Sequence, residues 1–197
     1  MEVPMREIKT DRRSQRTRRL LVQALVDLMR RKPYHSITVA EIVDRADVGR
    51  STFYAHFTDK DDLLVDGVHH LLVSLETEAA EPTRIYPTLG LLRHLGAQAD
   101  LYRVMAKDRG LMLFLTALQD EITETLTARL TARVSTAAPT VAPSLLAAMV
   151  TSMLITAIRT WIEGGLVSSA ETVDQMFHTL AAAAIEAGMR PMKGSAM

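Results

Sequence analysis

Arg50, Ser51 and Thr52 stand side by side, with Tyr54, His56 and Lys60 just beyond them. This set offers donors, hydroxyls and cations but no activated nucleophile, so its chemistry is recognition of a polyanion rather than bond making. An arginine pairs bidentately with guanine O6 and N7, and Ser or Thr contributes a hydroxyl or, for Thr, a methyl contact. Arg50 serves equally well as a phosphate clamp, since half or more of protein–DNA hydrogen bonds go to the backbone. A second cluster, Arg12, Arg13, Arg16 and Arg19, reads either as an arm near the minor groove or as a solvated charge run.

Catalysis finds little support. The chain has no Gly-rich phosphate loop, no Gly-x-Ser-x-Gly and no His-Glu-x-x-His, and its six histidines are scattered. Asp66 and His70 share a helix face at i,i+4, with His69 nearby, but one such pair is far more often a solvated surface pair than a metal site. Zero cysteines exclude disulfides and thiolate ligands. No catalytic residue, metal or cofactor is expected.

The elements that must carry the readers are legible in the same stretch. Leu20, Leu21, Ala24, Leu25 and Leu28 recur at helical spacing, predicting a first helix over Asp11 to Met29 that ends before Lys32-Pro33. Thr38-Val39-Ala40-Glu41 is a capping box, so a second helix starts at Thr38, buries Val39, Ile42 and Val43, and stops near Ala46. Asp47 tolerates a left-handed cap, and Gly49 breaks helical propensity. A short third helix, Arg50 to His56, follows after a turn of helix-turn-helix length, anchored by Phe53 and Phe57. Thr58 to Asp62 opens a fourth helix, from about residue 59 to Glu78, whose amide end together with Lys60 is a natural anion site. Thr38 is placed both to cap and to touch phosphate. Tyr54 and His56 fall on the outer side of the third helix.

These residues, Ile37 to Leu64 (ITVAEIVDRADVGRSTFYAHFTDKDDLL) with the preceding TRRLLVQALVDLM helix, resemble the TetR/AcrR family of regulators. Within it the chain looks like the branch carrying Arg-Ser-Thr-Phe-Tyr-x-His-Phe, whose members resemble dihydroxyacetone-kinase regulators. The resemblance implies double-stranded operator DNA as partner, phosphate contacts from Tyr54 and His56, and a C-terminal domain that binds a small-molecule effector and dimerises. Asp47 and Gly49 depart from the family's usual glycine and serine or alanine at these places, which leaves the approach of the third helix less defined.

The remainder fits that plan. An all-α architecture of about nine helices is expected, with residues 1–60 as the DNA-binding domain and 61–197 as the effector and dimerisation domain. Residues 1–60 hold 13 Lys/Arg against 8 Asp/Glu, and residues 61–197 hold 10 against 15, a basic reader on an acidic body. Further helices are predicted at about 88–97, 99–107, 109–134, 144–164 and 170–187. The last two are apolar on several faces and call for a partner subunit as cover. Met149, Met153, Ile162, Phe177 and Leu180 are the expected homodimer interface. Tyr102, Met105, Phe114, Met153 and Trp161 are candidate pocket residues, each equally readable as core. Arg159 and Glu163, four apart, suit an interface ion pair or a polar ligand group. The apolar run Leu145 to Ile158 falls short of a bilayer span, and the first residues lack a signal-peptide core, so a cytoplasmic location without membrane contact is expected. Two functions remain: a repressor released from a pseudo-palindromic operator by an effector, and a coactivator of the same fold that acts through a partner protein.

Overall fold

A computed structural model describes residues 5–78, 86–134 and 139–191, and for residues 5–12 and 76–78 the backbone alone. Among these residues the regular structure is helical: α1 Met5–Met29, a 3-10 turn Tyr34–Ser36, α2 Val39–Ala46, α3 Arg50–Tyr54, α4 Lys60–Glu78, α5 Thr88–Ala97, α6 Ala99–Met105, α7 Arg109–Thr131, α8 Pro143–Glu163 and α9 Ala170–Met189. The all-α reading holds. The chain divides into two compact units, which depart from the expected consecutive domains: Met1–Val68 with Arg103–Phe114, and His69–Tyr102 with Leu115–Met197. The division falls inside α4, and a segment from the middle of the chain joins the N-terminal unit.

In the first unit, α1 packs on α2 through residues three and four apart, because that spacing stacks side chains on one helix face. Leu21, Ala24, Leu25 and Met29 of α1 meet Ile42, Val43 and Ala46 of α2 as a dry core that also takes Phe53, Phe57, Leu63 and Val68. Three expected core positions are displaced from it. Leu20 is 41% exposed because it lies past the edge of the buried stripe, and Leu28 and Val39, the latter at the first turn of α2, are only half-buried.

In the second unit, α9 packs against both α5 and α8. Its stretch of α7 buries Leu115, Leu118, Ile122, Leu126 and Leu130, the register predicted from sequence. The α8 helix is 21 residues long, more than its apolar run suggested, and by length and composition alone would cross a bilayer. One face of it is nevertheless committed to this unit through Leu146, Ala147, Val150, Leu154, Ile158 and Ile162. Leu145 and Met149 point outward from α8, and Met176 and Leu180 outward from α9, all half or more exposed.

Asp174 is a buried carboxylate, 2% exposed, set against the start of α5. Its Oδ1 accepts the Thr88 hydroxyl at 2.5 Å, and His178 Nε2 lies 3.0 Å from the same hydroxyl. No side chain of its own caps α5, so a carboxylate delivered from α9 suits the positive end of that helix.

Candidate nucleic-acid interface

The geometry of the reading element starts with its caps. Thr38 Oγ1 accepts the Glu41 backbone N–H at 3.3 Å, and Glu41 Oε2 accepts the Thr38 N–H and hydroxyl, each at 2.9 Å. The box starts α2 where the sequence required it. It also consumes both Thr38 donors, so the expected second role of Thr38, donating to phosphate, is not available in this arrangement. Lys32 pairs with Glu41, and that ammonium, with the Thr38 bonds, pulls the Glu41 carboxyl down to about 2.

The α2 helix ends on Asp47, which sits in the left-handed region at φ 52°, ψ 49°, with Val48 donating to Val43 O. Short polar side chains tolerate this conformation better than most. Gly49 then adopts φ −68°, ψ 146°, an extended cap that any residue reaches, and α3 begins at Arg50. The third helix is five residues long rather than extending to His56. Phe53 is fully buried and packs against the rings of Tyr54 and Phe57, which fixes α3 on the core by one side.

The other side is the candidate reading surface. Arg50 and Ser51 are exposed, Thr52 is half-buried, Tyr54 is 60% exposed and His56 is half-buried against Phe57. On α1, Arg13, Arg16 and Arg19 are exposed, and no ion pair holds them among the described residues. The Arg12 side chain lies outside the described residues. Two neighbouring cations are already spent. Arg18 pairs with Asp66 and lies over the Phe57 ring, and Arg45 grips Asp27 Oδ2, whose carboxyl is lowered chiefly by that bond.

Lys60 overturns its expected role. Its ammonium donates to the carbonyls of Tyr34 at 2.8 Å, His35 at 3.2 Å and Ile37 at 2.7 Å, and lies 4.7 Å from the centre of the Tyr34 ring. An ammonium has three donors, and all three are used. Burial shifts Lys60 downward, as it should for a cation drawn into protein. The amide end of α4 is likewise taken, since Asp59 Oδ1 accepts the Asp61 and Asp62 N–H groups at 2.8 and 2.9 Å. The anion site expected there is filled by the protein itself.

The segment that carries this geometry, residues 21–66, matches the family model described as bacterial regulatory proteins, tetR family. Over this segment, less than half of its length, the chain is similar to that family. An HTH-type transcriptional regulator of Bacillus subtilis (strain 168), YxbF, is 38% identical over 60 residues, 30% of this chain and 16% of that protein. The HTH-type dhaKLM operon transcriptional activator DhaS of Lactococcus lactis subsp. lactis (strain IL1403) is 38% identical over 48 residues, 24% of this chain and 26% of its own length. Both matches therefore span about a quarter or less of those relatives. A solved TetR transcriptional regulator from Streptococcus agalactiae 2603V superposes with a TM-score of 0.60 over 89% of this chain and 98% of its own, at 22% identity, which establishes a shared fold.

The candidate pocket residues divide between the two units. Met105 and Phe114 belong to the first unit and are core, at 2% and 4% exposed. Tyr102 is buried in the second unit beside His94, which burial pushes down. Met153 and Trp161 instead line an open apolar groove of roughly 680 Å³ with Thr156, Thr160, Val173 and Leu180. Of the expected interface, Met149 and Leu180 face outward and Met153 is half-buried, whereas Ile162 and Phe177 are 1% and 5% exposed and belong to the chain's own core. Arg159 and Glu163 are both exposed and form no ion pair among the described residues. Asp66 pairs with Arg18, and His69 Nδ1 lies 3.1 Å from Glu121 Oε2.

Proposed function

We propose that this chain is a sequence-specific DNA-binding transcriptional regulator that works as a homodimer. The observation that carries the reading is the row of exposed Arg50 and Ser51 and half-buried Thr52 on a helix whose opposite side is locked by Phe53. In a helix-turn-helix the N-terminal residues of the second helix meet base edges in the major groove, which suits these three. Tyr54 and His56 then stand toward the phosphates, with Arg13, Arg16 and Arg19 as the further cationic surface. Arg50 is the reader with the most to say about sequence, through a guanine.

Dimerisation is supported by the outward Leu145, Met149, Met176 and Leu180 of α8 and α9, which alone would leave apolar side chains in water. Two heads then engage successive major grooves about 34–36 Å apart, or a multiple of that, on a pseudo-palindromic site. Repression relieved by a small-molecule effector follows from the family resemblance. The likeness to DhaS, a transcriptional activator, favours a second reading in which the chain activates, including as a coactivator through a partner protein.

Selection of random duplex DNA by the purified protein, followed by binding of the enriched site across a salt series, tests the first reading. A pseudo-palindrome with steep inverse salt dependence supports it. Arg50→Ala should then cost about 1–3 kcal/mol and relax discrimination at one base position. Weak binding indifferent to sequence from a well-folded dimer would overturn the reading in favour of a partner protein.

A further inference from the structure

The corner between α6 and α7 returns to the reading head. Asp108, Arg109 and Gly110 all lie in the first unit. Asp108 Oδ2 accepts the His35 backbone N–H at 2.6 Å and lies 3.0 Å from His35 Nδ1, and its Oδ1 accepts the Arg109 N–H at 2.5 Å. The side chain of Asp108 is only 6% exposed. Burial by itself would raise its carboxyl, but the bonds from His35 and Arg109 outweigh burial and hold it below its ordinary range. The Arg109 guanidinium pairs with Asp61 Oδ2, while Asp61 Oδ1 accepts the Tyr34 hydroxyl at 2.6 Å. At Gly110 the approach is so close that a Cβ would lie 2.9 Å from Tyr34 Cβ.

These contacts converge on the 3-10 turn Tyr34–Ser36 from a corner 73 positions away in the chain. Immediately after that turn come Ile37, which is buried, and Thr38, which starts α2. We propose that Asp108 and Arg109 are positioning residues for DNA reading: by holding the 3-10 turn they fix where α2 begins and so how α3 is presented. The inference rests on the DNA-reading function above, and it assigns a part in that function to residues far outside the helix-turn-helix.

The test uses the full chain as parent, Asp108→Ala, Asp108→Asn and Gly110→Ala, with Arg93→Ala as a control on the exposed Arg93–Glu171 pair of the second unit. Amide hydrogen exchange at His35, Thr38 and Glu41 is measured alongside affinity for the selected duplex, at a temperature well below melting, where a purely stabilising residue leaves affinity unmoved. Asp108→Ala should speed exchange at all three amides and weaken every DNA sequence alike by about 2- to 30-fold, with the salt slope unchanged. Asp108→Asn, which keeps one accepting oxygen, should fall between it and the parent, and it also answers the question if Asp108→Ala does not fold. Faster exchange confined to His35, or parental affinity in every variant, overturns the proposal. Should the parent select no duplex, the DNA reading has failed rather than the clamp, and the proposal falls with it as an account of DNA reading while exchange at Thr38 and Glu41 still reports whether the corner fixes α2.

Discussion

Replacing Lys60 by Met separates a brace from a phosphate contact. The side chain becomes one atom shorter and loses its charge, and the Tyr34, His35 and Ile37 carbonyls lose the ammonium as donor while Tyr34 O keeps the Ile37 N–H. Two of those bonds, to Tyr34 and Ile37, are partly buried, and a hydrogen bond to a charged group contributes about 1.5–3 kcal/mol. The third, longer and exposed, is readily replaced by water. Against the loss stands relief of the burial cost that lowers the Lys60 pKa. A net destabilisation of about 2–3 kcal/mol follows, and at about 2–4 °C per kcal/mol for a chain of this size the melting temperature should drop by about 4–12 °C. Differential scanning calorimetry reads the drop, and a salt series on the selected duplex reads the other half. Loss of one phosphate contact lowers the magnitude of the salt slope by about 1, whereas loss of a brace leaves it alone. An unchanged melting temperature with a slope reduced by one would refute the structural assignment and return Lys60 to the DNA.

The remaining expectations concern other parts of the chain. Glu41 titrates near 2 in the folded protein against an ordinary 4.5, so its contribution is fully present above about pH 4.5 and is lost as pH falls toward 2; Glu41→Gln should flatten the fall in stability across that window, as followed by circular dichroism. Asp174→Ala takes the acceptor from the buried Thr88 hydroxyl and should cost about 1–3 kcal/mol in urea unfolding, with no measurable change counting against the α5–α9 tie. A charge at an outward apolar position, Met149→Asp or Leu180→Asp, should yield folded monomers in sedimentation, and unchanged dimers would move the interface off this face.

Local signals were the legible ones. The Thr38–Glu41 box, the left-handed Asp47 and the Phe53 anchor each depend on neighbours within a few positions, and a short window of sequence displays them. The α7 register was legible for the same reason, since periodicity is a property of one helix. What escaped depends on partners far along the chain. Nothing near Lys60 signals that the Tyr34, His35 and Ile37 carbonyls will surround it, and nothing near Asp108 announces His35. Ile162 and Phe177 were assigned outward because α8 and α9 are apolar on several faces, and composition does not say which face the chain's own core will claim. Met149 and Leu180 differ from them only in the angle each occupies around its helix.

The division of labour within α3 bears on how such a chain can change its target. Phe53 carries the attachment of the helix, while Arg50 and Ser51 bury little and brace no neighbour in the first unit's core. Surface substitutions away from caps and cores typically shift stability by no more than about 0.5 kcal/mol. On the proposed DNA-reading function, reading and folding are therefore inherited almost separately: a lineage, or an engineer, can rewrite positions 50 and 51 and search new operators while the head beneath them stays intact.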